Sequence, residues 1–417
     1  MNLRPAMLLL SIGLLTLSAS GQEWARFRGP NGTGVGTATN LPARWVETDC
    51  QWKLKLPGVG HSSPVLWGGR VFVTCADSGA ALWRFVCVDS IKGTIAWQKD
   101  FPLPFYTLNR NNTFATSSAT ADADRVYVPR IEGKELRLTA LTLDGNPAWE
   151  FNAGPFQTEH GLGHSPIRLG RLVILAVDHD LAGRIIALDA RTGKSVWQTD
   201  RRAGRADYST PCLFAPETGA PVLIFNTQED GVSAVDPETG RVTWSLGRVL
   251  NMRSVSSPVV AEGLLISSCG SGGGGNYVVA LRPPAKPGEQ PTVAYEIRKS
   301  APYVPTSLAL GKLLFLWSES GIVTCLDAAT GAPYWQERVG GNYFSSPVCA
   351  DGKLYGVSAS GEVVVLAAAK EFKELGRSSL GGPTEATPAI AGGKIYFRTL
   401  NHLICVGPSP PAVRLQP

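Results

Sequence analysis

The chain is poor in charge. Only 18% of its 417 residues are Asp, Glu, Lys or Arg, and the net excess of +5 is scattered. No basic run is present, so the footprint expected of a nucleic-acid-binding surface is missing. None of the eight cysteines forms a Cys-x-x-Cys pair, which removes a thioredoxin-like site and a zinc knuckle. Without Cys-x-x-Cys-His there is no covalent haem attachment. A serine nucleophile elbow, a P-loop and a dinucleotide fingerprint are absent as well, so nothing compels an enzyme. The apolar stretch Leu8–Leu17 is too short to span a bilayer.

Turn formers, in contrast, are plentiful, with 46 glycines and 30 prolines. They fall into a repeat. Ala187-Leu188-Asp189-Ala190-Arg191-Thr192-Gly193-Lys194-Ser195-Val196-Trp197 reads as a strand, a tight turn and a second strand. Asp189 can fold its carboxylate onto the turn backbone, and Gly193 is free to take positive φ. The pattern recurs with Asp89, Gly93 and Trp97; Asp144, Gly145 and Trp149; Asp236, Gly240 and Trp244; and Asp327, Gly331 and Trp335. The tryptophans are 52, 48, 47 and 91 residues apart, the last close to twice the others. A fixed period of this size marks a propeller or solenoid.

A second marker keeps the same period. Ser62-Ser63-Pro64, Ser165-Pro166, Ser209-Thr210-Pro211, Ser256-Ser257-Pro258, Ser345-Ser346-Pro347 and Ala386-Thr387-Pro388 each precede an apolar run, with Ser117-Ser118-Ala119 and Val304-Pro305-Thr306 filling two gaps. Eight units result, each reading as four short strands. The expected fold is all-β: an eight-bladed β-propeller of four-stranded antiparallel blades. The last unit lacks its tryptophan strand, whereas Gln51-Trp52-Lys53-Leu54-Lys55-Leu56 stands orphaned before the first. This N-terminal strand is expected to complete the last blade and close the ring, which removes free edges.

Residues 1–21 have the character of a cleavable signal peptide: Arg4, the apolar stretch, then Ala19-Ser20-Gly21 before Gln22. No cysteine precedes Cys50, so a lipid anchor is not expected, and neither is a membrane anchor after cleavage. Localisation is expected to be periplasmic or secreted. There Cys75 and Cys87, on neighbouring strands, are candidates for a disulfide across the hairpin; the alternative is that the cysteines are small buried strand residues. Residues 22–49 form an N-terminal arm, 50–407 the propeller, and 408–417 a Pro-rich tail. Gly29–Gly36 lacks the Gly-Lys-Ser/Thr end of a phosphate loop and is read instead as an arm packing over the closing blade. Gly270–Gly275 is read as a flexible hairpin tip, and Asp178-His179-Asp180 as a solvated turn at a blade's outer part.

The Asp…Thr-Gly…Trp turn, repeated over residues 24–407, resembles the PQQ-like propeller repeat with its tryptophan-docking motifs. Trp-Ala-Arg-Phe-Arg-Gly-Pro-Asn-Gly (24–32) looks like the opening of secreted bacterial members of that superfamily. The resemblance implies that Trp52, Trp97, Trp149, Trp197, Trp244 and Trp335 lie flat between blades. Two units depart from it, with Val293-Ala294-Tyr295 and Phe372-Lys373-Glu374-Leu375 where Trp is expected, so weaker contacts are expected there. The superfamily holds quinoprotein dehydrogenases as well as propellers without a cofactor. The dehydrogenase pattern of an adjacent cysteine pair and a Ca²⁺ cluster has no match in this chain.

Aligned on their Ser/Thr–Pro openings, the units place His61, Thr116, Gly163, Tyr208, Val255, Tyr303, Phe344 and Glu385 around one mouth of the channel. Asn109, Arg110, His164, Asp207, Arg253, Asn342 and Tyr343 lie nearby. Aromatic bodies with polar tips suit recognition, although the same residues could simply cap strand ends. A zinc site from Glu159, His160 and His164 is disfavoured, because two glycines interrupt the segment. The reading is a non-catalytic binding or scaffolding module, acting as a monomer, with no cofactor and no metal. Its partner would be a protein or a small polar or carbohydrate ligand at the rim. The alternative is a minimal PQQ-dependent oxidoreductase of alcohol or sugar dehydrogenase type, holding PQQ with Ca²⁺.

Overall fold

Each Asp-turn joins the third and fourth strands of a blade. In blade 3 the turn links Ala182–Asp189 to Ser195–Arg201, and Asp189 Oδ1 accepts the Thr192 N–H at 2.8 Å and the Thr192 hydroxyl at 2.7 Å. The carboxylate thereby satisfies turn donors that the sheet cannot reach. The same device recurs at Asp236 and Asp327. A computed structural model describes residues 23–408 apart from 104, 105, 107, 110, 111, 181, 203 and 287. The signal-like segment 1–21, Arg110 and most of the tail lie outside the described residues.

Eight four-stranded antiparallel sheets are present. Their innermost strands, blade 1 to blade 8, are Val65–Trp67, Thr120–Ala121, Ile167–Leu169, Cys212–Phe214, Val259–Ala261, Leu308–Leu310, Val348–Ala350 and Ala389–Ala391. The two middle strands of each blade are buried on both faces by the neighbouring blades, as in the wholly buried Leu172–His179. Trp52–Lys55 pairs antiparallel with His402–Val406, setting Trp52 against Cys405, and completes blade 8.

Blades lean on their successors through an aromatic ring, blade 7 excepted. Trp52 of blade 8 lies over Gly93 of blade 1 and donates its indole N–H to Ser90 O at 3.1 Å. Trp97, Trp149, Trp197 and Trp335 donate in the same way to Leu143, Ala190, Pro237 and Ala369 of the following blade. At Gly93, Gly145, Gly193 and Gly240 the receiving turn needs glycine twice over, because φ is positive (65° at Gly93) and the indole leaves no room for a Cβ. Trp244 is buried too, although blade 5 has the Pro-rich connection 283–291 in place of an Asp-turn.

The two atypical units fill the tryptophan position in different ways. Tyr295 takes the tryptophan position of blade 5, over Gly331, with its hydroxyl bonded to Ala328 O at 2.7 Å. In blade 7 the tryptophan position falls on Gly376, opposite Val365, and not within 372–375. Ala43 and Arg44 of the N-terminal arm occupy the space above Gly376, and Trp45 stacks on Phe397 of blade 8 at 5.3 Å. The arm supplies the ring that the blade lacks.

The arm also does more than cover the closing blade, which corrects the sequence expectation. Trp24 bridges Leu66 of blade 1, and Ala25 O accepts the Ala121 N–H of blade 2. Arg26 Nη2 reaches Pro211 O of blade 4 at 2.7 Å, and Arg28 reaches Ser307 O of blade 6 and Pro347 O of blade 7. Val35 then pairs with Cys349. The segment therefore crosses the axis and closes one end of the channel. A second set of bonds runs around most of the axis. The backbone N–H of Ser63 bonds to the Ser118 hydroxyl of the next blade, Ser118 to Ser165, Thr210 to Ser257, Ser257 to Thr306, Thr306 to Ser346, Ser346 to Thr387, and Thr387 back to Ser63, at 2.9–3.2 Å.

The proposed disulfide is not formed. Cys75 stands opposite Arg84 and Cys87 opposite Phe72, three residues apart along the ladder and so on opposite faces of the sheet. Substituting Trp45→Ala should lower stability by about 3–5 kcal/mol, the range for deleting a buried large aromatic. Urea unfolding measures it against Val46→Ala, whose side chain is 63% exposed. Equal midpoints for the two variants would show that the arm is not part of the blade packing.

Candidate functional site: a one-ended cup

With the arm across its floor, the channel becomes a cup of about 1200 Å³ that opens where the innermost strands begin. Phe27 of the arm lines its bottom, and the ring hydroxyls of Ser63, Ser118, Ser165, Thr210, Thr306, Ser346 and Thr387 line its wall. Above them the extended chain alternates. Residues two positions before each ring hydroxyl face the lumen: His61, Thr116, Gly163, Tyr208, Val255, Val304, Phe344 and Glu385. Arg253 and Asn342, four before, face it too, as does Asn109 from the preceding loop.

Residues an odd number of positions away turn into the body. His164 is buried behind the wall, where its Nε2 accepts the Asp178 N–H at 3.2 Å and its ring packs against Tyr208. Burial lowers its pKa to about 3, so it stays neutral. Asp207 is equally buried, accepting N–H bonds from Gln228 at 2.9 Å and Ser254 at 2.6 Å, while burial raises its carboxyl to about 7. Tyr343 is a core residue packed on Trp317 at 5.2 Å. Tyr303 breaks the alternation: three positions before Thr306, it still lines the cup.

Asp178-His179-Asp180 is not a solvated turn. Asp178 and His179 are buried at the end of their strand, and Asp178 pairs with Arg201. His164 is buried with its Nε2 engaged by the Asp178 N–H, whereas His160 meets Asn112, so the zinc arrangement does not assemble. Among the described residues no three His, Cys, Asp or Glu groups converge on a point able to hold a metal ion.

Several lining groups were invisible to the repeat alignment because they lie on connections. Glu159 Oε2 sits 3.2 Å from Arg205 and 3.7 Å from Arg253. His160 Nδ1 meets Asn112 Oδ1 at 3.2 Å. Glu319 accepts N–H bonds from Tyr303 at 2.8 Å and Val304 at 2.6 Å. Charge is unevenly spread around the mouth. Arg205, Arg253 and Arg298 stand along blades 4 and 5, and Glu319 and Glu385 along blades 6 and 8.

A family model described as outer membrane protein assembly factor BamB matches residues 134–285 and 303–406. The chain belongs to this PQQ-like β-propeller family. Over 133 residues it is 28% identical to the quinoprotein alcohol dehydrogenase PedH of Pseudomonas putida, a match spanning 30% of this chain and only 21% of the dehydrogenase. Among solved structures, BamB from Moraxella catarrhalis superposes with a TM-score of 0.61 at 17% identity, covering 85% of this chain and 95% of that one. A europium-containing methanol dehydrogenase gives 0.66 at 13% identity, covering 90% and 89%. The quinohemoprotein alcohol dehydrogenase from Comamonas testosteroni gives 0.64 at 13%, covering 95% and 82%. At such identities the structural likeness is one of fold.

The family raises the question of a Ca²⁺-held quinone, and the donor set of this propeller does not fit one. Glu159 is drawn to Arg205, and one oxygen of Glu319 takes two backbone N–H groups. Glu385 stands alone on another blade, with burial raising its carboxyl to about 7.

Glu385 also sets a pH dependence. Its folded pKa lies above the ordinary 4.5, so the folded state binds a proton that the unfolded chain releases. Wild-type stability is therefore lost as pH climbs from about 4.5 to about 7, and the loss levels off above that. Since Gln does not titrate, the melting-temperature gap between Glu385→Gln and wild type should widen from pH 5 to pH 7 and stay constant to pH 8. A gap independent of pH would place the carboxyl in water.

Proposed function

We propose that this protein is a secreted, non-catalytic binding propeller that holds a small polar ligand, or a loop of a protein partner, in the cup. The observation that supports the reading is the arm: Arg26 and Arg28 fix Phe27 across the axis and turn an open channel into a one-ended site lined by hydroxyls and aromatic rings. Such a concave, largely preformed site with a few convergent polar groups is where ligands bind. The family model of an assembly factor agrees with a recognition role. The signal-like residues 1–21, without a lipid-bearing cysteine, agree with work in the periplasm or outside the cell. Among the described residues no helix is long and apolar enough to cross a membrane. The propeller is taken to act as a monomer, without nucleic acid.

A second reading, a minimal PQQ-dependent dehydrogenase, draws on the match to a quinoprotein alcohol dehydrogenase. One experiment separates the two. Thermal shifts would be read for wild type and for a filled-cup variant, Val255→Trp with Thr116→Trp, against saccharides, amino acids and short peptides. In parallel, dye reduction would be followed with PQQ, Ca²⁺ and alcohols. The expected outcome is ligand stabilisation of the wild type by several degrees, lost in the filled-cup variant, with no dye turnover. Turnover with PQQ, or shifts that ignore the filled cup, would reverse the assignment.

A further inference from the structure

Among the described residues, Arg253 is a cation of the cup whose partners, Tyr303 and a loosely paired Glu159, leave part of its guanidinium unsatisfied. The Arg253 side chain is only 10% exposed, yet its Nε has no hydrogen-bond partner among the described residues. Glu159, its nearest carboxylate, lies 3.7 Å from Nη2, beyond hydrogen-bond length, and stands closer to Arg205. The Arg253 side chain lines the cup, and leaving its Nε unsatisfied is costly, so a ligand that offers it an acceptor is favoured. His61 Nδ1, another buried atom of a lining residue, is also without a partner.

The surroundings narrow the ligand. Glu159, Glu319 and Glu385 line the same cavity, so a polyanion such as a nucleic acid or a highly acidic peptide would be repelled. A single negative charge, held against Arg253 and away from Glu385, is what the charge distribution accepts. The wall around it is hydroxylic. The ring oxygens of Ser63, Ser118, Ser165, Ser346 and Thr387 each accept a backbone N–H, which leaves their O–H groups free to turn inward and donate. Tyr208, Tyr303 and Phe344 add aromatic faces.

Resting on the reading of the cup as a binding site, we infer that its ligand class is a sugar acid: a small hydroxylated ring with one carboxylate, seated on the Arg253 guanidinium. The carboxylate accepts the two parallel N–H bonds that a guanidinium fork offers, and the ring hydroxyls meet the Ser/Thr belt.

Isothermal titration of the purified full protein tests the inference with glucuronate, glucose, the methyl ester of glucuronic acid, inorganic phosphate and the tripeptide Gly-Gly-Tyr. Glucuronate should bind about tenfold or more tightly than its ester and than glucose. Arg253→Gln should lose that preference, and Arg253→Lys should regain part of it, since charge returns without the fork. The acid-against-ester comparison uses wild type alone, so it stands even if a variant fails to fold. Equal binding of acid and ester, or glucuronate binding untouched by Arg253→Gln, overturns the inference. Preferential uptake of glucose, phosphate or the tripeptide overturns it too, while leaving the cup a binding site. Failure of every probe, together with thermal shifts that ignore the filled cup, removes both readings.

Discussion

The architecture depends on borrowed satisfaction. A backbone N–H beside the axis, at the point where a chain enters its innermost strand, has no partner within its own blade. The hydroxyl of the next blade takes it. At the outer edge the same dependence is repeated in apolar form, where a tryptophan of one blade roofs the turn glycine of the next. No blade is complete alone, as in other repeat folds whose units gain stability from neighbours. Closure then becomes a requirement: Thr387 must find Ser63, and Trp52 must find Cys405 and Gly93.

The arm uses that closed ring as a frame. Arg26 and Arg28 are buried without a carboxylate, and desolvation lowers their pKa to about 10 and about 9. Both remain charged at neutral pH, because Pro211, Ser307 and Pro347 offer carbonyl oxygens that no strand pairing consumes. These carbonyls sit at the entries of the innermost strands, one residue beyond the ring hydroxyls of Thr210, Thr306 and Ser346. The guanidinium groups thus do for the arm what a sheet ladder does for a strand. Phe27, between them, is turned toward the lumen.

Repetition made the ring legible from the sequence. Asp-turn, glycine and tryptophan at a fixed period specify blade count, blade order and the closing strand, since each marker has one geometric job. The mouth was legible in part. The period-2 alternation of an extended chain sorts Tyr208 and Glu385 into the lumen and His164, Asp207 and Tyr343 behind it, but alignment by height alone does not apply that sorting. What repeats could not reveal lies where the chain is unique. The arm has no counterpart in any blade, so nothing in its glycines announced a path across the axis, and Trp45 gave no sign that it would stack on Phe397 beside the blade that lacks a ring. Glu159 and Glu319 sit on connections whose lengths differ between units. Asp178 reads as polar and hence solvated until Arg201, a strand away, is seen to neutralise it.

The crossing of the axis also fixes an order of events during synthesis. Arg28 leaves the ribosome early, yet its acceptors Ser307 and Pro347 follow 279 and 319 residues later. Contacts of such separation carry a large loop-closure cost. Until blade 7 exists the arm can be held only by blades 1, 2, 4 and 6, so the bottom of the cup is finished only with the last blades.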